Sequence, residues 1–310
     1  MAAAAVQLPT TGNVHPFADA TPSLPPQTAS TSQPATQRPH DVQTTLNYIQ
    51  EVADGSHLRP TYANQPQTFQ RPFVKVPTTI HDVSGREAEY TLDGAGFQFH
   101  RHVSAETEFV DEAQIHRVYY PEVDALIKEV TGATRTFIFD HTIRRPTRES
   151  SNSSSSSALR SPVFQVHIDQ SFPAALERVR FHLPDEADVL LQGRYQIINV
   201  WRPLKPVRRD PLALAAAHTV ADADLIPIKL IYPHREGETY SVRANLATKW
   251  YYRHAQTPDW VTLIKCYDSK TDGRARRVPH SAFEIPGTEH EEPRESIEVR
   301  VLVFTPEDRE

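Results

Sequence analysis

His167, Ile168 and Asp169 form an H-x-D triplet, an imidazole and a carboxylate placed to share one metal ion. The triplet alone says little. The chain has 15 histidines and 39 acidic residues, and H-x-[DE] triplets also occur at His234–Glu236 and His290–Glu292. Context separates the three. His234–Glu236 sits in PHREGE, which reads as a turn, and His290–Glu292 in the charged loop TEHEEPRE. His167–Asp169 sits in FQVHID, a strand pattern. Side chains alternate across a strand, so Gln165, His167 and Asp169 share one face, with Phe164, Val166 and Ile168 on the other. Two ligands on one face of a rigid strand are what a 2-His-1-carboxylate site requires. Such a site leaves positions open on Fe(II) for a cosubstrate and O2.

The third ligand must be a later histidine. His280, in RRVPHSAF at the start of a short strand, is the best candidate. Downstream comes RESIEVRVLVF, where Arg294, Ser296, Glu298 and Arg300 share a face and Ile297, Val299, Val301 and Val303 the other. An arginine can clamp a carboxylate with two parallel hydrogen bonds, and a serine two residues on can add a third. That equipment suits the distal carboxylate of 2-oxoglutarate. The bland alternative is a salt-bridged arginine on an outer strand, but H-x-D, then H, then R-x-S is far more specific than H-x-D. Arg294 and Arg300 stand about 20 Å apart along an extended strand. Only one is therefore expected at cosubstrate distance. The R-x-S spacing favours Arg294, while the polar loop 284–293 keeps Arg300 open.

Further candidates surround these. In NVWRPL, Asn199 and Trp201 share a face; Asn199 suits a hydrogen bond to the cosubstrate and Trp201 a pocket wall. Arg202 is either a substrate contact or a structural ion pair. In FDHTIRR, Asp140, His141, Arg144 and Arg145 are placed for the pocket mouth, with His141 as a substrate contact. Tyr251, Tyr252, Lys265 and Tyr267 are weaker pocket candidates. Cys266 faces away from its neighbours Lys265 and Tyr267 and is assigned no chemistry.

The elements that must position these groups are mostly strands. Residues 1–40, rich in Pro, Ala, Thr, Ser and Gln, predict a disordered tail. Residues 41–53 predict a short helix capped by Asp41. TIHDV and AEYTL predict two strands about a Ser84–Gly85 turn. Residues 108–131 predict a helix, broken or kinked at Pro121 and ended by Gly132. TRTFIFDHTIRR predicts a half-buried strand. A serine-rich run at 145–160 predicts a mobile insert. Strands then crowd together, with a helix near 172–182 and a helix or loop near 210–223. Neither βαβ alternation nor a Gly-rich phosphate motif is present. The expected fold is mainly β with flanking helices, a double-stranded β-helix of the jelly-roll or cupin type, with residues 41–310 as one domain.

Composition bounds the rest. The net charge of −6 gives no reason to expect nucleic acid or an anionic membrane as partner. The single cysteine excludes an internal disulfide and a multi-thiolate zinc site. The start has no basic region or apolar run of signal length, and no stretch reaches bilayer-spanning length. A cytoplasmic setting is expected; the oligomeric state is not legible.

Seven segments also carry a family resemblance: YYPEVDALIKEVTGA (119–133), FDHTIRR (139–145), VHIDQS (166–171), NVWRPL (199–204), KCYDS (265–269), PHSAF (279–283) and RESIEVR (294–300). Through them the chain resembles fungal hydroxylase/desaturase proteins related to the cephem-methoxylase and gibberellin-desaturase families. Members are regarded as Fe(II)/2-oxoglutarate-type oxygenases, often in natural-product pathways. The resemblance implies that His167, Asp169 and His280 take the iron positions, and leaves open which arginine binds 2-oxoglutarate. The insert at 145–160 departs from the tighter loop expected there. The implied reaction is hydroxylation or desaturation of a small-molecule natural product. The alternatives are a cupin-like iron dioxygenase or isomerase without 2-oxoglutarate, and a binding barrel that has lost its metal.

Overall fold

The run RYQIINVWRP is dominated by β-branched, aromatic and polar side chains that suit a pleated surface. It becomes the fully buried middle strand of the smaller of two sheets in the computed structural model, which describes residues 40–145 and 161–309. In chain order the strands are β1 (Val42–Ile49), β2 (Thr61–Tyr62), β3 (Phe73–Asp82), β4 (Phe97–Arg101), β5 (Arg135–Arg144), β6 (His167–Ile168) and β7 (Arg194–Pro203). They continue as β8 (Leu212–Ala215), β9 (Leu225–Tyr232), β10 (Arg235–Val242), β11 (Trp250–Tyr252), β12 (Trp260–Asp268), β13 (His280–Ala282) and β14 (Ser296–Thr305). One sheet runs β1-β3-β11-β8-β13-β6-β10-β9-β2, and the other β4-β12-β7-β14-β5. Phe97, Phe99, Trp201 and Ile264 of the smaller sheet pack with Leu212 and Leu214 of the larger, so an apolar cluster joins the two. This is the expected jelly roll.

The outer face of the smaller sheet is covered by helix. α1 (Glu112–Gln114) leads through a π-helical turn, Ile115–Tyr119, into α2 (Tyr120–Thr131). Val123, Leu126 and Ile127 of α2 bury against Ile198, Val200, Ile297 and Val299. Each such side chain contributes roughly 2 kcal/mol. α3 (Phe172–His182) and α4 (Ala187–Leu190) instead close one end of the opposite face, packing Ala175, Val179 and Leu190 on Ile197, Leu302 and Phe304. Because Ile198, Val200, Ile297 and Val299 point outward, the alternating residues Asn199, Trp201, Glu298 and Arg300 point inward.

Several expectations fail for identifiable reasons. Residues 42–49 form a strand, not a helix. Val42 and Leu46 lie four apart, a spacing compatible with either period, and the long antiparallel pairing with β3 settles it. AEYTL is not a strand. Glu87–Glu89 is a single 3-10 turn, and the strand TIHDV pairs instead with β1 and with β11. Pro121 does not break the helix: it occupies the first turn of α2, where its missing N–H costs nothing, and the irregularity is the π turn before it. Gly132 ends α2 as expected, with φ at 70° and its N–H donated to the Lys128 carbonyl. The expected tail and serine-rich insert fall, at 1–39 and 146–160, outside the described residues.

Candidate metal centre and adjoining cavities

The register of the larger sheet sets His167 of β6 directly opposite His280 of β13. Their rings lie 4.5 Å apart between centroids. Each Nδ1 faces a backbone carbonyl, Gln165 at 2.8 Å and Val278 at 3.1 Å. A carbonyl only accepts, so each Nδ1 donates and each Nε2 keeps a free lone pair. Gly96 fixes the second of these contacts from behind. At φ +87° it packs so closely on Val278 that any Cβ would fall 2.4 Å from a Val278 methyl.

The smaller sheet meets the pair from across the roll. Asn199 of β7 and Arg300 of β14 are register partners. Asn199 Nδ2 donates to Asp169 Oδ2 at 2.8 Å, and Arg300 Nε donates to the same oxygen at 3.0 Å. The other oxygen, Oδ1, is left facing His167 Nε2 at 3.4 Å and His280 Nε2 at 3.9 Å. Ligand atoms of all three residues lie within 4.8 Å of one another. Two imidazole nitrogens and one carboxylate oxygen thus converge with their remaining atoms already bonded, which is a donor set that could hold one divalent ion.

The charges are arranged for that. Burial works against ionising Asp169, but Arg300, His167 and His280 outweigh it and hold its carboxyl well below the usual range. Burial, with His167 alongside, pushes His280 down to about 4, so its imidazole stays neutral. Burial also opposes charge on His167, yet the Asp169 hydrogen bond and charge raise it overall. Glu298 is raised by burial and by Asp169. Arg300 is fully committed: beyond Asp169 it bonds Asp140 Oδ1 at 3.0 Å, Thr142 Oγ1 at 3.1 Å and Glu298 Oε1 at 2.7 Å.

Arg294 is the opposite case. It is 6% exposed, and its Nη1 donates to the neutral carbonyl of Asp210 at 2.8 Å. Its guanidinium lies over the Trp201 ring, 5.3 Å from the centroid, and its buried Nε has no partner among the described residues. Burial and Arg144 push it down to about 10. Arg294, Trp201 and Glu298 border a narrow recess of about 30 Å³ whose other walls include His167, Asp169, His280, Arg144 and Arg300. Both arginines therefore reach one recess from opposite ends. Their separation along the backbone therefore does not by itself choose between them.

A larger cavity of about 500 Å³ shares His167, Asp169, Arg144, Val163 and Arg300 with the recess. Its wall is apolar at Phe69, Ile228 and Leu230 and polar at Arg71, Asp140, Gln170 and Arg178. The period of β5 brings Asp140, Thr142 and Arg144 inward and turns His141 and Arg145 away. His141 bonds Tyr120, and Arg145 pairs with Glu295, so His141 does not line the cavity. Arg202 is likewise turned away, bonded to Tyr119 and to the His102 carbonyl. Ser296 is buried and borders neither cavity. Trp201 walls the recess rather than the larger cavity. Lys265 is spent on Asp93 and Asp268, and Cys266 is buried and raised well above its usual range by burial. Arg71, Arg178, Ile228 and Leu230 carried no local sequence signal; only sheet topology brings them to the triad.

Residues 46–304 match the family described as oxidoreductase/YMDC permease-like domain. Among the described residues no helix is long and apolar enough to cross a membrane. The hydroxylase/desaturase efuI of Hormonema carpetanum is 38% identical over 282 residues, 85% of this chain and 95% of that protein. The alpha-ketoglutarate-dependent dioxygenase phiK, from a fungal species, is 37% identical over 222 residues, 70% of this chain and 80% of that one. The solved structure of the iron and alpha-ketoglutarate-dependent endoperoxidase NvfI superimposes with a TM-score of 0.72 at 28% identity, covering 85% of this chain and 98% of that one. The chain belongs to the fungal hydroxylase/desaturase family of Fe(II)/2-oxoglutarate-type oxygenases.

Proposed function

We propose that this protein is a non-haem Fe(II)/2-oxoglutarate-dependent oxygenase that hydroxylates or desaturates a small-molecule natural product. In this reading His167, Asp169 and His280 hold the iron. The observation that carries it is Arg294: a buried guanidinium with no carboxylate hydrogen-bonded to it among the described residues, lining the same recess as His167, Asp169 and His280. A buried charge without a counterion is costly, and a ligand carboxylate would remove that cost. The recess is narrow, which suits the carboxylate end of a small acid. A cupin-like iron dioxygenase or isomerase without 2-oxoglutarate would leave Arg294 with no acid.

Iron held by His167, Asp169 and His280 would, with 2-oxoglutarate and O2, supply the oxidising power for an unactivated C–H bond, 2-oxoglutarate being the co-reductant that is converted to succinate and CO2. The chain's own residues position and shield. Gln165 and Val278 carbonyls orient the imidazoles, and Asn199 and Arg300 hold the outer oxygen of Asp169. Arg294 clamps the distal carboxylate while stacked on Trp201. The larger cavity is of a volume typical for small-molecule sites. Its mixed wall suits an oxygen-bearing substrate with an apolar body. Residues 38–310 form one compact unit, consistent with a single oxygenase domain, and the lone buried cysteine suits a reducing, cytoplasmic setting.

The test is release of labelled CO2 from 1-labelled 2-oxoglutarate by protein loaded with Fe(II) under anaerobic conditions, then exposed to O2. Wild-type protein is expected to release it, and His167→Ala, Asp169→Ala and His280→Ala to abolish it while folding normally. Full iron content and turnover in His280→Ala would overturn the triad. Iron binding without decarboxylation would favour the cosubstrate-free alternative.

A further inference from the structure

His141 has no role at the cavity, yet its surroundings are organised. We propose that Glu112, His116 and His141 form a second divalent-cation site, for an ion of the Zn2+ class, on the outer face of β5. Ligand atoms of the three lie within 4.8 Å of one another. The helical spacing of four places Glu112 and His116 on one face, with Glu112 Oε1 3.1 Å from His116 Nε2. The strand supplies the third group, His141, whose Nε2 lies 3.4 Å from Glu112 Oε2. Both oxygens of one carboxylate thus face two imidazole Nε2 atoms.

Two further observations separate this from a chance surface cluster. The Tyr120 hydroxyl lies 2.9 Å from His141 Nδ1. It fixes the ring so that Nε2 faces Glu112, as outer hydrogen bonds fix metal-binding imidazoles elsewhere. His116 also belongs to the π-helical turn Ile115–Tyr119, a rare conformation often found at functional sites. The site is graded in depth: the His141 side chain is 9% exposed, His116 51% and Glu112 68%. His141 forms a floor and the other two an open rim, with room for water to complete the coordination. Two imidazoles and a carboxylate suit Zn2+ at neutral pH. The site stands back to back with the triad. Asp140, the preceding residue of β5, points inward to Arg300.

The test uses full-length protein stripped of metal and titrated with Zn2+ against a chromophoric chelator. A His167→Ala/His280→Ala variant removes the inner site and is expected to keep one tight Zn2+ and a Zn2+-dependent rise in melting temperature. Adding His116→Ala, a half-exposed position that the fold tolerates, should weaken that binding by at least about 10-fold and remove the rise. Glu112→Gln, which keeps the shape and loses the charge, should weaken it too. No Zn2+ on the His167→Ala/His280→Ala variant, or unchanged affinity after His116→Ala, would overturn the proposal.

Discussion

Arg294, two residues before β14, and Arg300, near the middle of that strand, border one recess, yet their electrostatic surroundings are opposite. Arg300 is ringed by Asp169, Asp140 and Glu298, and its pKa is raised well above the usual value, burial being outweighed by those acids. Arg294 has no carboxylate bonded to it among the described residues, and burial pushes its pKa down to about 10. A buried charge that is fully compensated belongs to the architecture. One that is uncompensated marks where a ligand of opposite charge completes the structure. Under the proposed function, the difference splits an ambiguous R-x-S-x-E-x-R pattern into two roles, a positioning residue at Arg300 and a cosubstrate clamp at Arg294.

That contrast makes opposite predictions for the same substitution. Arg300→Gln takes from the buried acids Asp169 and Glu298 the guanidinium that bonds both. It should cost about 3–5 kcal/mol of stability in the metal-free protein, read by denaturant unfolding, and weaken iron binding because Asp169 loses its orientation. Arg294→Gln removes a charge that no carboxylate hydrogen-bonds and that Asp210 and Glu298 offset less than burial opposes it. Metal-free stability should hold or rise, while the loss of a charge-assisted clamp raises the KM for 2-oxoglutarate by an amount worth about 2–5 kcal/mol and leaves iron content intact. Equal destabilisation by the two variants would break the comparison. A 2-oxoglutarate dependence that shifts with Arg300→Gln alone would reverse it.

How much of this the sequence carries depends on distance along the chain. The H-x-D triplet is legible because two ligands two residues apart need only local alternation. The same alternation separates Asp140 and Arg144 from the cavity-averted Arg145. It did not exclude His141, because FDHTIRR does not say which of its faces is covered by helix. The pairing of His167 with His280 is a register between strands more than a hundred residues apart, and no local pattern encodes it. The same holds for Arg71, Arg178, Ile228 and Leu230. Short strands such as β8 and β11 were missed because three or four apolar residues carry no period, and residues 42–49 were read as helix because period alone cannot resolve so short a segment.

In the larger cavity Arg178 is a second guanidinium held by neutral groups: Nε donates to Gln170 Oε1 at 3.3 Å, and the guanidinium lies 5.1 Å from the Phe139 ring centre. The sensor is His182, on the same helix. It stacks on Phe139 at 5.2 Å, and its buried Nε2 has no partner among the described residues. Burial first, then Arg178 and Arg235, push its pKa down to about 4, with Asp140 opposing. An unfolded histidine takes up its proton near 6.5. Between those values the unfolded state binds more protons than the folded one, so stability is full above about 6.5, falls as pH drops toward 4, and then levels. His182→Phe keeps the stacking and should remove that slope. Arg178→Gln should raise the folded pKa of His182 and narrow the window from its acid side, an effect smaller than that of Arg294→Gln or Arg300→Gln. Chemical-shift titration of the His182 ring reads it directly. An unchanged pKa in Arg178→Gln would mean that burial alone holds His182 neutral, and that Arg178 carries no uncompensated field into the cavity.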